Sequence, residues 1–315
     1  MTGTMKRLLA AALLVCAVCG VFPAALGEGG SSPAKVAWDW EAEPFPEGSE
    51  LLTVWVACMV GADCMLVTYQ GHTMLVDVGD RTTSAQVSEM LEAAGVEGVE
   101  YLFNTHPHAD HIGGVFKLLD RGFSVGALIT FFSHSYYENR QVVIQSEAIQ
   151  AAEEAGVPIL DMVTEETIPF GGATLTAYRV PDDRIERSMN CNNQSAMLMV
   201  ELGDCRILLT GDVEVRSQQI LAELYDLSAD IMKFPHHGLN TANPTFLRAV
   251  SPAFVFFTNG SSRTKAAQAQ LKKAGAGMTF ATWGIIRMQT DGTRWILHQD
   301  FIPSIQRHAQ KYFGF

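Results

Sequence analysis

Residues 106–111 read His-Pro-His-Ala-Asp-His, three imidazoles and a carboxylate within six positions of a chain that holds 9 histidines in 315 residues. Imidazole nitrogen and carboxylate oxygen are the donors that zinc and related divalent ions take. A β-rich run at 99–103 precedes the motif, and the glycines of Ile112-Gly113-Gly114 open a helical run to 119, so the motif sits on a loop at the carboxyl end of a strand. Histidines at its first, third and sixth positions and Asp110 at its fifth can direct two side chains to one ion and two to a neighbour. That arrangement suits a two-metal hydrolase. It also constrains the fold, because the remaining ligands must arrive from other strands that end at the same edge.

The chain supplies such strands. Runs at 51–59, 64–69 and 73–78 are separated by Gly61-Ala62-Asp63 and Gln70-Gly71-His72 and read as a meander. A helix at 83–94 ended by Gly95, the motif, a strand at 125–132 and a helix at 140–155 follow. Strands return at 173–180, 195–202 and 205–210, the last two joined by Gly203-Asp204, a two-residue hairpin signal. Helices at 213–226, 244–250 and 264–274 alternate with strands at 231–234 and 253–257. Strands near 278–281, 284–290 and 294–298 and an amphipathic helix at 301–312 complete the chain. Two halves of similar order predict an α/β fold in which two sheets pack face to face with helices outside, a four-layer αββα sandwich over residues 51–315.

Residues 1–27 read as a secretory signal: Met5-Lys6-Arg7 is a basic start, 8–21 is apolar, and Ala25 and Gly27 are the small residues a signal peptidase needs. This predicts a secreted or extracytoplasmic protein, with retention by an uncleaved anchor as the alternative. Residues 28–50, rich in glycine and proline, read as a flexible lead-in. Beyond the signal no apolar run approaches the roughly 20 residues needed to cross a bilayer. Loss of Lys6 and Arg7 makes a net charge of −12 more negative still, so the chain has no large basic surface for long nucleic acid or anionic membranes. A phosphate could still bind where metal ions supply the positive charge. Four cysteines follow the signal, Cys58, Cys64, Cys191 and Cys205, an even count that permits two disulfides as readily as four buried thiols.

Two further places qualify as ligand sources. Thr210-Gly211-Asp212 ends one apolar run with a carboxylate whose two oxygens could bridge a pair of ions, and Phe234-Pro235-His236-His237-Gly238 ends another with two imidazoles. HPHADH, LLTGD and KFPHHG in this order resemble the metallo-β-lactamase fold superfamily. Within it the chain is most similar to the ComEC-like branch, the hydrolase domain of bacterial DNA-uptake channels and its stand-alone secreted relatives. Val60-Gly61-Ala62-Asp63-Cys64-Met65-Leu66-Val67, Leu75-Val76-Asp77-Val78-Gly79, Asn192-Asn193-Gln194-Ser195 and Thr290-Asp291-Gly292-Thr293-Arg294-Trp295 carry that likeness, over about residues 51–298.

The resemblance implies that His106 and His108 hold a first metal, Asp110 and His111 a second, and that Asp212 bridges them. One of His236 and His237 completes the second site and the other touches substrate. Zinc is the expected ion and manganese the alternative, one or two per chain. Most two-metal members carry a further histidine before the strand that leads to the bridging aspartate; here Asn193-Gln194-Ser195 stands there, so Asn193 becomes a candidate ligand through its carbonyl oxygen. The branch's GHP is also absent, replaced by Asn259-Gly260-Ser261-Ser262-Arg263.

The implied activity is phosphodiester hydrolysis on a small or single-stranded substrate by a water that two cations deprotonate near neutral pH. Asp110 would orient that water, and His134, after a strand end, would serve as acid or phosphate donor. Asp77 is expected to hydrogen-bond the metal loop, and Asp63 to fix a turn. Two other classes are compatible with the motifs: a hydrolase of a lactone, lactam or thioester, and a non-catalytic binding module.

Overall fold

The computed structural model of the chain describes residues 35–131, 140–186 and 188–314. The expected signal at 1–27 and His134 lie outside the described residues. The strands are β1 (Val36–Trp38), β2 (Leu52–Val56), β3 (Met65–Tyr69), β4 (His72–Val76), β5 (Gly98–Phe103), β6 (Ser124–Thr130), β7 (Ile159–Asp161), β8 (Thr167–Phe170), β9 (Ala173–Tyr178), β10 (Met197–Leu202), β11 (Cys205–Leu209), β12 (Ile231–Lys233), β13 (Phe254–Phe257), β14 (Gly277–Phe280), β15 (Gly284–Thr290) and β16 (Trp295–Phe301). The α-helices are α1 (Ser84–Ala94), α2 (Ala109–Ile112), α3 (Val115–Asp120), α4 (Arg140–Glu154), α5 (Val215–Leu224), α6 (Pro244–Val250), α7 (Lys265–Ala274) and α8 (Gln306–Phe313).

They form a nine-stranded sheet in the order β1-β16-β15-β2-β3-β4-β5-β6-β7 and a seven-stranded sheet in the order β14-β13-β12-β11-β10-β9-β8. The core between the sheets takes residues from both, among them Val54, Val67, Phe103 and Ile129 from the first and Phe170, Leu175, Leu198 and Phe256 from the second. A second cluster packs Leu221, Phe246 and Leu271 of α5, α6 and α7 on the outer face of the smaller sheet. A third packs Val87, Val115 and Ala148 of α1, α3 and α4 on the larger. The four expected layers are present. Each fully buried Leu or Phe in them contributes about 1.5–3 kcal/mol relative to exposure.

Strand direction sets where chemistry can gather. β4, β5 and β6 run parallel in the larger sheet, and β11, β12 and β13 run parallel in the smaller. Strands covered on both faces read as continuous apolar runs, and Phe254-Val255-Phe256-Phe257 is one, buried throughout. The carboxyl ends of both parallel groups reach one edge of the sandwich, where open α/β sheets hold their ligands. The Gly203-Asp204 hairpin forms as expected, pairing Leu202 with Cys205.

Two expectations are corrected. The segment read as a flexible lead-in contributes β1, which pairs parallel with β16 and buries Trp38 against Phe254 and Phe313. Its glycines and prolines mask a Val-Ala-Trp strand that gains its partner only from the far end of the chain. The helix expected from Ile112 starts later, as α3 at Val115, and a separate turn of helix, α2, lies inside the motif with His108 as its extended first cap. Between bridges and thiols the cysteines resolve as thiols in all four positions; burial pushes the Cys205 thiol up to about 11.

Candidate metal centre

The site begins at Asp77, one residue past β4, whose φ of 56° is left-handed. Non-glycine residues rarely take that conformation, and they hold it where surrounding structure over-determines it. Here Asp77 N–H donates to Phe103 O, 2.8 Å away on β5. The carboxylate then collects the start of the neighbouring loop: Oδ1 accepts from Thr105 N at 2.8 Å and Asn104 Nδ2 at 3.2 Å, and Oδ2 from Thr105 Oγ1 at 2.7 Å and His111 Nδ1 at 2.6 Å. Asp77 does hydrogen-bond the motif loop. Ala196 N–H donates to Thr105 O at 2.8 Å and ties this loop to the second sheet.

Three histidines share one pattern. His106 Nδ1 faces Thr105 Oγ1 at 3.0 Å, His111 Nδ1 faces Asp77 Oδ2, and His237 Nδ1 faces Thr258 Oγ1 at 2.9 Å and Asp63 Oδ1 at 3.1 Å. Their outer nitrogens are anchored by protein. Their Nε2 atoms are buried with no hydrogen-bond partner, and all three point toward Asp212 Oδ2, at 3.9, 3.4 and 3.3 Å. Buried polar atoms are almost always paired. An imidazole held by one nitrogen, with the other aimed into a cluster of donors, is how proteins present histidine to a metal.

Two donor groups emerge, with ligand atoms within 4.8 Å of one another: His106, His108 and Asp212, and Asp63, His111, Asp212 and His237. Asp63 approaches the imidazoles from behind, at the Nδ1 side of both His237 and His111 (3.1 and 3.8 Å). It is a support for the rings and stands away from the Nε2 cluster. Asp110 abuts the second group, its Oδ2 3.4 Å from His237 Nε2. The donors fit one or two divalent cations.

Electrostatics follow the same division. Burial and the neighbouring His111 hold His106 well below the ordinary histidine range, a neutral ligand-ready ring. Burial lowers His108 too. Burial opposes ionisation of Asp212, but His237, His111 and Lys233 outweigh it and hold its carboxyl well below the usual range. Burial likewise works against charge on His111 and His237. Asp212 with Asp77, and Asp212 with Asp63, overcome it and raise both rings well above the ordinary value.

His236 and His237 both adopt left-handed backbone (φ 49° and 52°), which turns consecutive side chains to different sides. His237 is buried in the second group. His236 stays at the rim, its Nε2 4.0 Å from Asp212 Oδ2 and 3.4 Å from Asn192 Nδ2. Gly238 that follows is required: a Cβ there would lie 2.3 Å from the Phe257 ring.

Three sequence readings change. Asn193 is no ligand, since its Nδ2 donates to Asn190 Oδ1 and Glu214 Oε2 and its Oδ1 accepts from Ser217 N and Oγ. Both ends of the amide are committed to the start of α5. Asp63 fixes no simple turn; it is fully buried and contacts His237 and Lys233. Asp212 offers one oxygen to the cluster instead of two, because Lys233 Nζ donates to Oδ1 at 3.2 Å. Lys233 opens the KFPHHG motif, but the sequence reading assigns it no role. A lysine inside the apolar run Ile231-Met232-Lys233-Phe234 was the available signal.

The family model described as metallo-beta-lactamase superfamily matches residues 60–251, the span that carries the motif, Asp212 and both late histidines. The chain belongs to the metallo-beta-lactamase superfamily. Competence protein ComA of Neisseria gonorrhoeae is 28% identical to this metallo-beta-lactamase superfamily chain over 262 residues, 79% of the chain and 33% of that protein. The ComE operon protein 3 of Bacillus subtilis (strain 168) is 25% identical over 177 residues, 55% of the chain and 21% of that protein. The chain therefore spans about a third or less of the length of these competence relatives. Similar solved structures include the metallo-beta-lactamase fold protein YhfI from Bacillus subtilis (TM-score 0.49, 12% identity, 73% of this chain and 96% of that one). A diphosphatase from the PhnP family is another (TM-score 0.46, 15% identity, 76% and 98%).

Proposed function

We propose that this superfamily hydrolase is a secreted, metal-dependent phosphodiesterase that acts on small or single-stranded phosphodiesters. In this reading His106, His108 and His236 with Asp212 would hold a first ion, and Asp110, His111 and His237 with the same carboxylate would hold a second. His236 takes the place of the histidine absent at Asn193. One observation carries the reading: three buried Nε2 atoms with no hydrogen-bond partner converge on a single carboxylate oxygen. Zinc suits the imidazole-rich donor set best, and manganese is the alternative. Divalent ions there supply Lewis acidity, lowering the pKa of water and neutralising the non-bridging oxygens of a phosphate.

The chain's own residues do the rest. Asp77, Thr105 and Asp63 keep the imidazoles oriented, and Asp110, 35% exposed, could accept a hydrogen bond from a water bound at the centre. A cavity of about 210 Å³ opens beside His236, walled by Val213, Phe234, Pro235 and Asn240. It is smaller than a typical drug-sized pocket of ~300 Å³ or more and suits a compact alcohol portion of the substrate. The net charge of −12 supports short substrates over long nucleic acid gripped along many phosphates. Among the described residues no helix is long and apolar enough to cross a membrane; secretion is supported by the basic, apolar and small-residue order of residues 5–27.

Hydrolysis of bis(p-nitrophenyl) phosphate by zinc- or manganese-loaded protein tests this, beside Asp212→Ala. Metal-dependent turnover that disappears in the variant is expected. Absence of turnover from protein shown to hold metal would reject the phosphodiester assignment and favour a lactone, lactam or thioester substrate.

A further inference from the structure

Lys233 closes β12 and has no exposed surface. An ammonium taken out of water costs several kcal/mol unless it is paired and its donors are used. This one has three acceptors for its three donors: Gly211 O at 2.7 Å, Asp212 Oδ1 at 3.2 Å, and Asp63 Oδ2. The first two belong to the turn that carries the shared carboxylate. The third links elsewhere: Asp63 Oδ1 faces His237 Nδ1 at 3.1 Å, its N–H donates to Asp110 O at 3.1 Å, and its carbonyl accepts from Gly79 N at 2.8 Å. A single ammonium thus joins the segments bearing Asp212, His237 and Asp110.

We propose that Lys233 is a positioning residue of the metal centre, holding Asp212 Oδ1 away from the ligand cluster so that only Oδ2 is presented, and setting His237 through Asp63. The proposal rests on the reading that ions bind at this centre. It differs from a packing role in what it predicts when Lys233 and Asp63 are neutralised together and Asp212 is left in place. Replacing a buried pair by neutral groups is often neutral for stability. The freed Asp212 Oδ1, however, would then rotate and compete for the ions.

Cobalt(II) titration of the full chain, followed by visible absorption and metal analysis, tests it on two variants. Lys233→Met with Asp63→Asn leaves net charge unchanged and keeps an acceptor oxygen for His237. Folded material, identified by a cooperative melt, is expected to bind cobalt about 10–100-fold more weakly, the usual cost of losing a ligand's support, with a shifted absorption band. Lys233→Arg keeps the charge but cannot set one nitrogen on three acceptors, and is expected to show the same weakening; it decides alone if the double variant does not fold. Parent-like affinity and spectrum in either folded variant would overturn the proposal. A parent that takes up no cobalt would overturn the metal reading itself, a result distinct from the first.

Discussion

Asp77 shows how one side chain can matter beyond its own contacts. Its two oxygens serve Thr105, Asn104 and His111 inside the protein, so Asp77→Ala strands several buried donors at once. Each stranded donor costs about 1–3 kcal/mol, and chemical denaturation should show a loss of at least that size, with metal affinity down about 10–100-fold. Unchanged affinity would mean that His111 needs no support. The raised His111 and His237 give a sign for pH as well. Both rings hold protons above their ordinary range, and metal takes neutral imidazole, so binding must release protons and affinity must rise with pH. Isothermal titration in buffers of different ionisation enthalpy reads that release directly; buffer-independent heats would refute it. At this scale the HPHADH motif, Asp212 and the paired histidines could be read from sequence because each is a dense local signal. Lys233 and Asp63 could not, since their role exists only where β12 and the turn before β3 meet in space.

The elements explain why the donors converge. The turn after His111 is tight: a Cβ on Gly114 would lie 2.0 Å from Val78 O, while Gly114 N–H donates to Gly79 O and Val78 N–H to His111 O. Gly114→Ala must push the motif helix off the β4 loop, a strain of about 1–3 kcal/mol. Thermal melting and metal retention should both fall; a variant with parent-like values would show that the loop has slack. On the larger sheet, His298 of β16 pairs with Asp39 and Asp300. Burial pushes His298 down, but its hydrogen bonds to Asp39 and Asp300 outweigh this and raise it above the ordinary value. Its contribution is therefore full below about pH 6.5 and lost as pH rises through the folded value. For a partly exposed pair this is worth under about 1 kcal/mol. Hydrogen exchange around β1 should be slower at pH 6 than at pH 9 after correction for intrinsic rates, and His298→Gln should erase the difference. Helix and strand order was readable from apolar runs and turn residues, with 244–250 matching α6 to the residue because Asn243 caps it and Pro244 starts it. β1, β7 and β8 escaped, being three or four residues long and dependent on partners rather than on their own pattern.

The whole molecule packs two parallel strand groups face to face and lets each end in donors at one edge of the sandwich. Neither sheet holds the centre alone: the larger supplies His106, His108, Asp110 and His111, and the smaller supplies Asp212, His236 and His237. The four-layer sandwich was legible because the αβ alternation repeats in both halves; the pairing of β15 and β16 with the first sheet was not, since it joins the two ends of the chain. Asp212 is the donor that both proposed ion positions share. Metal analysis of purified protein loaded with zinc, alongside His106→Ala, His237→Ala and Asp212→Ala, tests it most directly. Two ions per folded parent chain, one weakened position in each histidine variant and loss of both in Asp212→Ala are expected. A parent that binds no more than background metal, or an Asp212→Ala variant that keeps two ions, would contradict it.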